Sequence, residues 1–476
     1  MPLRNVGNSP LAVFSLILLS CAVWTCGYQS SVGPARPTTG PTRAAAEDLS
    51  DEEGAGFAGA EAAAAYDEGG ARPSTPRIRQ AQGPESPLGV EIAIDDKDGS
   101  SLRNFHRALR RTASGEGQTR IVFFGASHVA ADMFTGYVRR ELQTRFGDAG
   151  RGFMLPVPPW KHYRRGGVRI EADRRPWTAS QVRVDTKGEV MFGIAGATVE
   201  TRRAGASGAI ENLATEEFTT HTGLFDIYFL KQPEGGDFNV LLDGHPMGRV
   251  STRSKTFETG YATYHVADAP HRLEIQVVGN GMVRLFGVAL EREKPGVLVD
   301  TLGINGSRAR YQLLWNEEMY REQLRRRNPD LLVIAYGTNE TGDDDSIEVY
   351  ESQLHQVIRR AKAAVPQASC LLIGPTDRPI REGKRGFRPR PRQSAVVEVQ
   401  RRVAIANGCG FFDLVAFQGG PMSMLKWVHF DPPYAQRDYV HLTRRGYERL
   451  GQVLLGALLE GFEERSPGME ETPPPS

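Results

Sequence analysis

Apolar positions along the chain follow two different rhythms. Ile121, Val122, Phe123 and Phe124 form an unbroken apolar run of strand length, and Val129, Met133, Val138 and Leu142 then recur at roughly helical spacing up to Gly147. Just upstream, Leu102, Phe105 and Leu109 share one helical face, with Ser100 or Ser101 as the expected N-cap. From about Trp160 to Glu293 the period changes to two. "FDIYFL", "FNVLLDG" and "HRLEIQVV" are β-rich, "QVRVD" and "VMFGIA" are shorter runs of the same kind, and Asp243-Gly244 and Asn280-Gly281 read as hairpin turns. After Asp300 strands and helices alternate. A helix around Leu313–Arg327 precedes the strand "LLVIAYG", and a helix over Ile347–Ala364 precedes "CLLIG". A helix around Ala395–Ala406 precedes "CGFFDL", and a last helix runs from about Thr443 to Phe462. Strand–helix alternation predicts a parallel sheet covered on both faces. The β-rich block therefore reads as an all-β sandwich inserted into an α/β domain.

The ends differ from this body. Residues 1–26 read as a signal peptide: one basic residue in "MPLRN", then the short apolar run "PLAVFSLILLSCAVWTC". "LLSC" resembles a bacterial lipobox with Cys21 as the lipidated residue, and "VWTC" at Cys26 is a poorer match with bulkier neighbours. An ordinary cleaved signal or an uncleaved anchor is the bland alternative. Residues 27–88 are rich in Pro, Gly, Ala and acids and read as a disordered linker, and 464–476 as a disordered tail. The body divides into a first α/β part (89–159), the β insert (160–295) and a second α/β part (296–463). Export to the periplasm or cell envelope of a bacterium follows from the leader, with membrane attachment only through the lipid.

Composition narrows the chemistry. With 58 Lys and Arg against 57 Asp and Glu, the chain has no bulk charge for nucleic acid or anionic membrane. None of the four cysteines has metal-ligand spacing, and neither HExxH nor a phosphate loop occurs, so no metal and no cofactor are expected. Cys370 and Cys409 each begin an expected strand of the same sheet and are a candidate disulfide.

The carboxyl ends of strands in such a sheet collect reactive groups. Ser127 follows the first strand in "FFGASHVAAD", Gly306 lies in "LGINGSRA", Asn339 follows a strand in "AYGTNE", and Asp438 and His441 lie in "RDYVHLT". Taken singly these are a helix cap, a turn glycine, a capping asparagine and a surface Asp-x-x-His pair. Together and in this order, over about 99–155 and 296–463, they resemble the SGNH (GDSL-type) hydrolases.

The resemblance implies a flavodoxin-like three-layer α/β sandwich and ester hydrolysis. Ser127 would be the nucleophile, His441 its base and Asp438 the acid orienting the imidazole. The oxyanion would be held by the amides of Ser127 and Gly306 and the side chain of Asn339. One residue departs from the family: Ala126 stands where an Asp usually precedes the serine, which puts loop support in doubt. The blocks and the inserted sandwich together are similar to the branch of bacterial peptidoglycan O-acetylesterases. That implies an acetylated cell-wall glycan, or another acetylated carbohydrate, as substrate. An O-acetyltransferase on the same glycan and a degenerate glycan-binding lipoprotein are the alternatives.

Other positions have milder readings. Glu340 is a candidate substrate contact, or it faces water. His128 is a candidate substrate contact, or a loop hydrogen-bonder. Trp160, Trp177 and Tyr228 offer sugar-stacking rings or core packing. The run from Arg378 to Arg392 is strongly basic: a solvated loop, or a surface that steers an anionic glycan.

Overall fold

The computed structural model describes residues 88–182, 190–214 and 220–462. The signal peptide, Cys21, Cys26, nearly all of the linker, most of "VRVD" and the tail lie outside the described residues. Leu88, assigned above to the linker, is buried, and its carbonyl accepts from Arg449 Nε at 3.1 Å.

Five parallel strands make the central sheet: β1 (Gln118–Gly125), β2 (Gly296–Gly303), β3 (Leu331–Ala335), β4 (Ser369–Ile373) and β5 (Gly410–Phe412). Their order is β2-β1-β3-β4-β5, the flavodoxin-like arrangement. Alternation along β1 sorts the two faces. Ile121 and Phe123 pack with Phe105, Leu109, Val138 and Leu142, whereas Val122 and Phe124 pack with Leu324, Tyr320 and the helix Ile347–Ala364. Cys370 and Cys409 are joined in a disulfide at the start of β4 and β5.

The β-rich block forms two antiparallel sheets, of six and five strands. Asp243 (φ 53°) and Gly244 (φ 80°) close a two-residue hairpin between Asp237–Leu242 and His245–Ser251, as expected for a type I′ turn. Asn280-Gly281 does not make a hairpin, because the strands on either side belong to different sheets. Asn280 is instead held by Asp237, whose amide donates to its Oδ1 (2.8 Å) and whose carboxylate accepts from its Nδ2 (3.0 Å).

The insert also starts earlier than residue 160. Gly150–Met154 pairs with Val288–Glu291 of the six-stranded sheet while lying against β2. Gly152 (φ 78°) permits this approach, since a Cβ there would stand 2.7 Å from the Val299 carbonyl. Tyr228 and Trp177 are buried, which makes them core residues of the sandwich, and Trp160 packs partly buried against the same core.

Two helices differ from expectation. Ser101 bonds Asp96 and does not cap Arg103–Ala113, and Ser100 does not cap it either. The segment after Ser127 is not one helix but two, Ser127–Ala130 and Phe134–Phe146. Asp132 breaks it at φ 51°, where its carboxylate gathers Arg139 (3.0 Å) and the Gly166 amide (2.8 Å).

Candidate active site

Strand register brings the reactive loops together. Gly125 of β1 stands beside Gly303 of β2 and Ala335 of β3, so Ser127, Gly306 and Asn339 leave one sheet edge from three adjacent strand ends. This is the point at which strand order reverses around β1, where open α/β sheets form a crevice. Close packing tightens it: a Cβ on Gly303 would lie 2.1 Å from the Ala130 amide nitrogen. The Ile304 amide also donates to the Gly125 carbonyl at 3.0 Å.

Ser127 begins the one-turn helix, and the Ala126 carbonyl accepts from Val129 N (3.1 Å) and Ala130 N (2.9 Å). Backbone bonds thus close the turn that carries the serine, although the usual acid is absent. At four residues this helix supplies little dipole, so its field at the serine is small.

His441 Nε2 lies 2.8 Å from Ser127 Oγ, and His441 Nδ1 lies 2.7 Å from Asp438 Oδ2. Asp438 Oδ1 accepts from the amides of Val440 and His441, both at 3.0 Å. Burial pushes the Asp438 carboxyl up, but the His441 contact and these amides outweigh it and hold it below the usual carboxylate value. An ionised carboxylate only accepts, so Nδ1 carries the proton and Nε2 is left as acceptor for the serine hydroxyl. Tyr439, between the two residues, takes the left-handed region (φ 59°), folding the Asp438 carboxylate back over its own loop.

Asn339 Nδ2 donates to the Ser307 carbonyl at 2.9 Å, which spends one amide hydrogen and leaves the other. Gly306 adopts φ 67°, a conformation that favours glycine. The Gly306 and Asn339 loops are braced to each other. Arg308 Nε contacts Asp343 at 2.7 and 2.8 Å, and Arg310 Nη1 reaches the same carboxylate at 2.6 Å.

Glu340 belongs to this brace and not to a substrate face. It is buried, with Oε1 accepting from Ala309 N (2.8 Å) and Oε2 from Gly337 N (3.0 Å). Burial raises its carboxyl above the usual value despite those amides. His128 is buried, and both ring nitrogens have partners: Nδ1 meets Tyr447 Oη at 2.8 Å and Nε2 meets Thr376 Oγ1 at 3.3 Å. Burial first, then the nearby His441, pushes its pKa down to about 3, so it is a neutral ring at 5.4 Å from the His441 ring. Tyr447 and the Arg308–Asp343 pair were not singled out from sequence. Tyr447 carries only a helical-periodicity signal, and Asp343 sits in the acidic run "GDDDS".

Residues 272–449 match the model of the GDSL-like lipase/acylhydrolase family. The chain carries an SGNH-type ester-hydrolase domain. The matched stretch holds Gly306, Asn339, Asp438 and His441 but not Ser127, which the β insert separates in sequence from the rest of the hydrolase domain. A solved peptidoglycan O-acetylesterase superposes with a TM-score of 0.66 at 24% identity, over 78% of this chain and 99% of that one. The fold is therefore shared across nearly all of that structure. A family two carbohydrate esterase from Clostridium thermocellum, an active-site mutant, matches 56% of this chain and 94% of its own at 13% identity and TM-score 0.26. No curated protein sequence matches the chain.

Proposed function

We propose that this SGNH hydrolase is a serine O-acetylesterase that deacetylates a cell-wall glycan, with peptidoglycan as the substrate. The observation that carries the reading is the continuous relay Ser127–His441–Asp438 at 2.8 and 2.7 Å. In the proposed mechanism the Ser127 hydroxyl attacks the acetyl carbonyl while His441 Nε2 takes its proton. Asp438 keeps the imidazole in the required tautomer and stabilises the imidazolium. The amides of Ser127 and Gly306 and the remaining Asn339 amide hydrogen receive the oxyanion. Collapse breaks the ester C–O bond, and His441 returns the proton to the departing sugar oxygen. Water, deprotonated by the same histidine, then attacks the acetyl-enzyme and releases acetate and free Ser127.

The choice of glycan rests on the architecture shared with the peptidoglycan O-acetylesterase. The intact Ser127–His441 bond favours catalysis over a degenerate glycan binder. Export as a Cys21 lipoprotein completes the proposal, since the Cys370–Cys409 disulfide suits an oxidising compartment. The reading is tested by a phosphonofluoridate probe. Labelling of Ser127 in the wild type and its collapse in His441→Ala would support it, and equal inertness of both would overturn it.

A further inference from the structure

Residues 378–392 hold six arginines and one lysine against a single glutamate, in a chain whose formal net charge is +1. This segment is built as a pinned hairpin. At its root the Arg378 amide donates to Gln393 Oε1 (3.0 Å), and Asp377 Oδ2 accepts from Met424 N (2.9 Å). Arg392 Nε donates to the Glu340 carbonyl at 3.0 Å, which ties the root to the loop that carries Asn339. Further out, Ile380–Arg381 pairs with Phe387–Arg388. There the Phe387 ring packs 4.4 Å from that of Tyr439, the residue following Asp438. The hairpin therefore spans from the oxyanion side of the site to the triad side.

Its cations divide into two groups. Arg378 Nη1, Arg390 Nε and Arg392 Nε donate to backbone carbonyls, and Arg388 pairs with Glu382. Arg381, Lys384 and Arg385 are exposed and have no acidic partner among the described residues. Three uncompensated cations on a hairpin packed against Tyr439 of the Asp438–His441 loop make a positive rim, which attracts anionic ligands most strongly within about 8–10 Å at moderate salt.

We infer that this hairpin is a carboxylate-reading rim that selects glycan esters bearing carboxylates near the acetylated sugar over neutral ones. The inference rests on the glycan-esterase reading above and names the substrate feature that the site reads. Soluble O-acetylated peptidoglycan fragments supply the test, used either with free carboxylates or with those carboxylates capped as amides. Acetate release by the wild type should show kcat/KM about tenfold higher on the free-carboxylate fragments, chiefly through KM, with the preference shrinking as salt rises. In the triple variant Arg381→Ala, Lys384→Ala, Arg385→Ala the ratio between the two substrates should fall to about one. Lys384→Gln with Arg385→Gln is the milder variant should the triple fail to fold, and it should narrow the ratio in the same direction. Equal wild-type rates on both fragments would overturn the rim while leaving the esterase reading standing, and so would a preference that survives in the variants. No acetate from either fragment would overturn both.

Discussion

Glu340 reaches from the loop after β3 to the backbone amide of Ala309 in the loop after β2, at 2.8 Å. Its second oxygen accepts from Gly337 at 3.0 Å, so one buried carboxylate fixes the spacing of the loops that carry Gly306 and Asn339. Glu340→Gln would turn an NH2 group toward one of those amides. It should cost about 1–3 kcal/mol of stability, the cost of an unsatisfied buried donor. It should also lower kcat by loosening the oxyanion loops. Denaturant unfolding and steady-state turnover of p-nitrophenyl acetate read the two effects, and a variant with wild-type stability would show that the two Glu340 bonds do not stabilise the fold.

Asn339→Ala leaves the relay intact and removes one proposed oxyanion donor. The expected loss is roughly 10²–10³ in kcat with KM little changed. A change confined to KM would mean that Asn339 holds the ground state and not the developing oxyanion.

Glu291 joins the insert to the hydrolase body, meeting Arg120 and Arg327 at 2.6 Å each. Burial raises its carboxyl, but the charges of Arg327 and Arg120 prevail and bring the pKa down to about 2 from an ordinary 4.5. Its folded value is depressed, so its contribution is fully present above about pH 4.5 and is lost as pH falls towards 2. Glu291→Gln should flatten that part of the acid-stability curve. It should cost about 1.5–3 kcal/mol at neutral pH, because the buried Arg327 loses one charged partner while keeping Asp300 at 2.7 Å. Unfolding midpoints across pH 2–7 would refute this if both proteins lost stability in parallel.

The Cys370–Cys409 disulfide closes a separation of 39 residues. Replacing both cysteines by serine should lower unfolding free energy by about 2–4 kcal/mol, the usual return for a loop of that order. An unchanged midpoint in urea would remove the disulfide from the stability account.

Strand periodicity made most of this architecture legible from sequence. The runs at 121–124, 331–335 and 370–373 are apolar throughout because both faces of the sheet are covered, and Ser127 and Asn339 stand just beyond the first two. Period and spacing did not reveal the break at Asp132, where a buried ion cluster overrides helical continuity. Nor did they reveal the crossing role of Asn280-Gly281, whose hairpin signal is local while its partner Asp237 is remote in sequence. His128 and Glu340 were visible as polar residues beside the motifs, yet the direction each faces depends on Tyr447, Thr376 and Ala309. Those contacts exist only after folding.

The central claim is that Ser127 drives acetate release from a cell-wall glycan. Its most direct test is acetate liberated from O-acetylated peptidoglycan by the purified chain, beside Ser127→Ala. The account predicts steady release by the wild type and a loss of at least about 10³-fold in the variant, because no other group forms the acetyl-enzyme. Release that persists undiminished in Ser127→Ala, or wild-type protein that frees no acetate while hydrolysing p-nitrophenyl acetate, would contradict it.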